Sequence, residues 1–162
     1  MIKMAIIIVL VEILLVGAVY AYENRKSSRI SFKETLDLTN LPIITFYNNN
    51  TKLHFLLDTG SNRSILNQSE LQFCTYRTTN TANELSGLDG VKRVVENVEI
   101  GLQYGDKVFT EEFQTPDMSE VFGSIKAETG VTIHGILGNT FFNRYKYIID
   151  FDKCVFYSKK YL

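Results

Sequence analysis

Tryptophan is absent from this 162-residue sequence, and proline and cysteine occur only twice each. Without Trp, nine Tyr and eleven Phe supply the aromatic bulk, and with the many Val, Ile and Thr they lean the chain toward β structure. The two cysteines, Cys74 and Cys154, stand far apart. They would pair in an oxidising compartment, but two buried free thiols are the preferred reading. Taken with His54 and His134 they show no zinc-ligand spacing, so no metal site and no cofactor are expected. A net charge of −1 provides no global field for nucleic acid or acidic surfaces, and no nucleic-acid partner is expected. Internal repeats and low-complexity segments are also missing. What remains is 45% hydrophobic, ordinary for a globular core, although part of that total lies at the N-terminus. The length suits one domain with a tail.

From Met4 to Tyr22 the sequence is almost continuously apolar, broken by Glu12. At ~1.5 Å per residue such a helix is long enough for a bilayer core of about 30 Å, and a single-pass anchor over residues 1–22 is expected. A secretory signal is the competing reading, since Val19-Tyr20-Ala21 would pass as a cleavage site. One mid-helix acid costs only a few kcal/mol on insertion scales. Arg25, Lys26 and Arg29 follow the helix, against Lys3 before it, which leans the following domain toward the cytoplasm. Residues 23–38 read as a polar tether and 39–162 as the folded domain. Three N-x-S/T triplets begin at Asn49, Asn62 and Asn67. A glycan on Asn62 would crowd Asp58, so an unglycosylated, bacterial setting is expected.

Within the domain, residues 41–47 and 52–57 read as two strands joined by Asn48-Asn49-Asn50. Period two places His54, Leu56 and Asp58 on one face and Leu53, Phe55 and Leu57 on the other. Four strand residues span ~13 Å, so His54 cannot reach Asp58 along the strand and reads as a surface or interface histidine. The second strand runs into Asp58-Thr59-Gly60-Ser61, a carboxylate at a tight turn. Gly60 permits a backbone conformation closed to other residues. Backbone N–H groups and nearby hydroxyls can fix the carboxylate. Taken alone, the turn is also what an ordinary Asx-turn looks like. Further on, Gly87, Leu88, Asp89 and Gly90 lie between two extended arms, a hairpin. Residues 116–129 read as loop or a short irregular helix. After Ile136-Leu137-Gly138 a short helix runs from Asn139 to Tyr145, and residues 147–157 close with a hairpin whose Asp150 reads as structural.

Hydrophobic-Asp58-Thr59-Gly60-Ser61 followed by Ile136-Leu137-Gly138 and a short helix resembles retropepsin-like aspartic proteases. The resemblance covers roughly Leu41 to Tyr157. It implies a mostly β, acid-protease barrel with one short helix after Gly138, and a catalytic Asp58. It implies that Thr59 braces its counterpart in a second chain, Gly60 allows close approach and Ser61 bonds the outer oxygen of Asp58. Ile136, Leu137 and Gly138 would pack under the loop. It also implies a mobile flap at about Gly87 to Gly90, a placement that an ordinary surface hairpin would equally fill. Such proteases need two carboxylates around one water. No other Asp here precedes Thr-Gly or Ser-Gly. A homodimer is therefore expected, each chain giving one Asp58, with protein or peptide as substrate. Val155 to Leu162 would be the strand that completes the dimer. Membrane anchoring would raise the local concentration of chains. Two other functions compete. One is a catalytically inactive binding or regulatory module on the same fold at the membrane; the other is a membrane-anchored structural protein with a chance motif.

Overall fold

The computed structural model describes residues 9–19, 29–86 and 92–158, with only the backbone path for 80–86 and 92–94. Residues 9–19 are helical (α1). The other elements are β1 (Arg29–Ser31), α2 (Lys33–Thr39), β2 (Ile43–Asn48), β3 (Thr51–Leu57), β4 (Ser64–Leu66), a 3-10 turn (Gln68–Phe73), β5 (Tyr76–Ser86), β6 (Lys92–Tyr104), β7 (Lys107–Gln114), α3 (Ser119–Thr129), β8 (Gly135–Leu137), α4 (Asn139–Tyr145), β9 (Tyr147–Asp150) and β10 (Val155–Ser158). The expected mostly β domain is present. α4 follows Gly138 as expected; α2 is an additional helix, and the stretch 116–129, read as loop or a short irregular helix, holds the regular, eleven-residue α3.

The larger sheet runs β2-β3-β8-β4-β7-β6-β5, and β2 also meets β6 at Tyr47↔Gln103. That pairing closes β2, β3, β8, β4, β7 and β6 into a six-strand barrel, which leaves few exposed edges. β6 manages three partners because its edge opposite β7 is divided, β5 taking residues up to Ile100 and β2 taking Gln103. Asn48 helps to close the seam: its side chain binds the Thr75 N–H and donates to the carbonyls of Thr75 and Gly101.

Alternation on β3 follows the sequence pattern. Leu53, Phe55 and Leu57 enter the barrel core, where Phe46, Phe109, Phe113, Phe141 and Phe156 supply the bulk that tryptophan does not. The outer face is also covered. Leu56 and Ile136 pack with Ile43, Phe122 and Ile133 in a second cluster beneath α3. α3 ends at Gly130, whose φ of 75° suits glycine and whose N–H closes onto the Lys126 carbonyl. Asn67, in the third N-x-S/T triplet, is buried; its side chain takes the Met118 N–H and donates to Ser69.

Two expectations change. Part of the presumed tether is structured: β1 pairs with β10, and Ile30 and Phe32 are buried at 2% and 1% exposure. β10 lies in the middle of the β1-β10-β9 sheet, so both of its edges are taken within the chain and it offers no free edge to a second copy. Of the expected membrane span, α1 is the described part, and residues 1–8 and 20–22 lie outside the described residues; among the described residues no helix is long and apolar enough to cross a membrane. Cys74 and Cys154 are free and half-buried; burial, with Glu70 nearby, pushes the Cys74 thiol up to about 11.

Candidate active site

Asp58 stands where β3 leaves the barrel. Its own backbone N–H still reaches β8, donating to the Leu137 carbonyl at 3.1 Å. The chain then turns: the Gly60 N–H donates to Asp58 Oδ1 at 2.8 Å, and the Ser61 N–H to the Asp58 carbonyl at 3.3 Å. A carboxylate that accepts from the backbone two residues on is held in one rotamer. A Cβ on Gly60 would lie 3.1 Å from Asp58 Oδ1. Gly60 is not at a positive φ. Close approach, and not an unusual conformation, is what glycine serves here.

The far side of the loop is sewn to the residues after β8. The Asn139 N–H donates to the Ser61 carbonyl at 2.9 Å, and Asn139 Nδ2 to the Thr59 carbonyl at 2.9 Å. The Gly138 N–H donates to Ser64 Oγ at 3.2 Å. Backbones approach so closely that a Cβ on Gly138 would sit 2.4 Å from the Arg63 carbonyl oxygen and 2.8 Å from that of Ser61. Ile136 and Leu137 reach the site as ladder residues, pairing in parallel with Leu56 and Leu57, and Ile136 also with Ile65 of β4. Asp58-Thr59-Gly60-Ser61 and Ile136-Leu137-Gly138 are thus brought together.

One site residue, Ser61, differs from the role that the resemblance implies. Ser61 Oγ donates to the Arg63 carbonyl at 2.7 Å, not to Asp58. Thr59 and Gly60 are exposed, and the Thr59 hydroxyl has no partner among the described residues. Gly87, Leu88, Asp89 and Gly90 lie outside the described residues; the arms on either side, β5 and β6, form the hairpin, with a register break between Thr79 and Asn83. Asp150 belongs to the β9–β10 turn, where its carboxylate takes the Lys153 N–H and ammonium, each at 3.0 Å. The histidines form a half-buried pair, with ring centroids 5.3 Å apart. His134 Nδ1 accepts the His54 backbone N–H at 2.9 Å, and Thr45 Oγ1 lies 2.9 Å from His54 Nδ1. Among the described residues no three His, Cys, Asp or Glu side chains are grouped to hold a metal.

Sequence reasoning missed Asn139, Ser64, Thr140 and Glu111. Glu111 Oε1 takes hydrogen bonds from Ser64 Oγ at 2.9 Å and Thr140 Oγ1 at 2.8 Å, in the interior just behind the loop. A signal for it existed: Glu111 falls in the same period-two phase as Phe109 and Phe113, all three buried.

No protein-family model and no curated protein matches the chain. Among solved structures it is similar to EIAV protease complexed with the inhibitor HBY-793, at 18% identity over 64% of this chain and 86% of that one, with a TM-score of 0.47. It is also similar to a retropepsin-like aspartic protease from Rickettsia conorii, at 15% identity over 80% of this chain and 88% of that one, with a TM-score of 0.45.

Proposed function

We propose that the chain is an aspartic endopeptidase whose water is activated by two Asp58 carboxylates, one from each subunit of a homodimer. One observation carries this reading: Asp58 opens a loop that is tied on both sides to Leu137, Gly138 and Asn139. Preorganisation of this kind is what a catalytic carboxylate needs and what a hairpin turn does not. In the dimer, one Asp58 takes a proton from water as it attacks the scissile carbonyl. The other gives a proton to the carbonyl oxygen, and later one proton passes to the leaving amine. Two carboxylates within ~3 Å share a single proton, so activity needs the singly protonated pair and falls on both sides of an acidic to near-neutral optimum. The exposed Thr59 hydroxyl is free to meet its counterpart across the two-fold axis.

Membrane attachment is part of the proposal. Its support is the apolar run from Met4 to Tyr22 and the exposure of Leu14 and Val16 on α1, at 72% and 69%. With the domain on the cytoplasmic side, cleavage would be confined to substrates near the membrane. Release of the chain by carbonate extraction would end that part alone.

The test of the activity is cleavage of fluorescein-labelled casein by the wild-type chain and by Asp58→Asn. The variant is expected to be inactive while unfolding at the same temperature, because the change is nearly isosteric and removes only the proton-sharing group. Undiminished cleavage by Asp58→Asn would place the chemistry elsewhere. No cleavage by the wild type at any pH from 3 to 8 would leave the non-catalytic binding module.

A further inference from the structure

β7 carries an acid where its pattern calls for an apolar residue. Phe109, Glu111 and Phe113 share the core face, with exposures of 3%, 0% and 0%. A buried carboxylate is costly unless partners answer it, so its retention in the core calls for a role. The partners are specific. Ser64 Oγ and Thr140 Oγ1 both donate to Oε1. A hydroxyl has one proton, and an ionised carboxylate can only accept. With both protons committed to Glu111, both hydroxyl oxygens are left as acceptors toward the backbone. Ser64 Oγ takes the Gly138 N–H at 3.2 Å, and Thr140 Oγ1 takes the Ser64 N–H at 3.2 Å. The 3.4 Å contact between the two hydroxyls then carries no proton.

Resting on the peptidase reading, we propose that Glu111 is a positioning residue of this site. As an acceptor-only group it orients the Ser64 and Thr140 hydroxyls so that the Asp58 loop, β8 and α4 are held in one register. It acts through them and touches no substrate.

The surroundings make this arrangement sensitive to protonation. Glu111 Oε2 makes no hydrogen bond and has Arg144 Nη1 3.4 Å away; the same guanidinium is anchored to β7 through the Thr110 carbonyl at 2.7 Å. Burial raises the Glu111 pKa, while the two hydroxyls and Arg144 lower it and Glu112 raises it. Arg63 lies 3.9 Å from Glu112, and the cross-strand neighbour on β6 is the uncharged Ile100. A proton added at Oε1 would take away an acceptor from one hydroxyl. Added at Oε2 it would set a donor against the Arg144 guanidinium. Either way the register loosens as pH falls through the raised pKa.

The experiment follows the Gly138 amide by NMR in the isotopically labelled full chain. Its resonance is expected to titrate in the wild type and, with the same midpoint, in Asp58→Asn. Glu111→Gln should abolish the titration, and Arg144→Gln, which removes the cation, should move the midpoint upward. A titration that survives Glu111→Gln, or that vanishes in Asp58→Asn, overturns the assignment. With casein, Glu111→Gln, which fixes on the side chain the donor that protonation would add, should lower kcat about threefold and Glu111→Leu about tenfold, each with little change in KM. Wild-type kcat in Glu111→Leu would also overturn it. If that variant fails to fold, Glu111→Gln and Arg144→Gln still decide. A wild-type chain that cuts nothing would end the peptidase reading, whereas the Gly138 titration would still report on Glu111.

Discussion

At the scale of single residues, two glycines near Asp58 are there for different reasons, and substitution should separate them. Gly138 faces backbone: a Cβ would meet the Arg63 and Ser61 carbonyl oxygens at 2.4 Å and 2.8 Å, and neither can swing aside. Gly138→Ala should therefore destabilise by about 1–3 kcal/mol, as overpacked sites do. Displacing the loop by about 1 Å should also lower kcat on the order of a hundredfold. Gly60 faces only the end of the Asp58 side chain, at 3.1 Å. Gly60→Ala should change stability by less than about 1 kcal/mol yet still reduce activity, because what must yield is the carboxylate itself. Urea titrations paired with casein assays of both variants check the contrast; equal stability losses would contradict it. Asp58, Gly60 and Gly138 were legible because each sits in a short contiguous motif. Ser64, Thr140 and Glu111 were not, since their bonds join positions far apart in the chain. Glu111 further conflicts with the pattern that marks a core strand, and such conflicts gather where function overrides local preference.

Among the elements, β3 and β8 matter most. They run in parallel and end at Asp58 and Gly138, so their relative placement aligns the two halves of the motif. At their opposite ends the His54 N–H donates to His134 Nδ1 and the His134 N–H to the His54 carbonyl, each at 2.9 Å. Protonated Nδ1 cannot accept that bond. Burial depresses the pKa of both rings from 6.5, helped for His54 by His134 and Lys52 and for His134 by Lys126. Below 6.5 and down to the depressed folded values, the unfolded chain binds more protons, so stability is complete above about 6.5 and declines as pH falls through that window. Urea midpoints at pH 7.5 and 5 should show this decline. His134→Phe should flatten it and, by orphaning the His54 N–H, cost about 1–3 kcal/mol at pH 7.5. A pH slope unchanged in His134→Phe would rule the pair out as its source. The β2–β3 hairpin and α4 were readable from local pattern. β1 was not, because its partner β10 lies at the other end of the chain and a three-residue strand carries no period of its own. α3 looked irregular because its apolar face is thin, with Phe122 its one fully buried residue.

The whole molecule presents one Asp58 on an exposed loop, and the proposed mechanism needs two acids on one water. Asp150 is no substitute, since its carboxylate is engaged by Lys153 in the β9–β10 turn. With β10 enclosed between β1 and β9, the proposed dimer would meet instead through the loop that carries Thr59 and Gly60, where the two Asp58 carboxylates have to converge. Activity per chain should therefore fall on dilution, as dimers dissociate by mass action. If the full chain is held in a membrane plane as proposed, it should resist dilution better than a fragment starting near Ser28, a boundary that keeps β1 and its pairing with β10. Mixing supplies the sharper test. With one part wild type to nine of Asp58→Asn, random pairing puts only about a tenth of the wild-type chains opposite another wild-type chain, so activity per wild-type chain should drop about tenfold. Mixed dimers hold one carboxylate and cannot divide the roles of acid and base. Activity that stays proportional to the wild-type chains present, at every dilution and every mixing ratio, would mean that one chain completes the site alone and that its second acid has yet to be found.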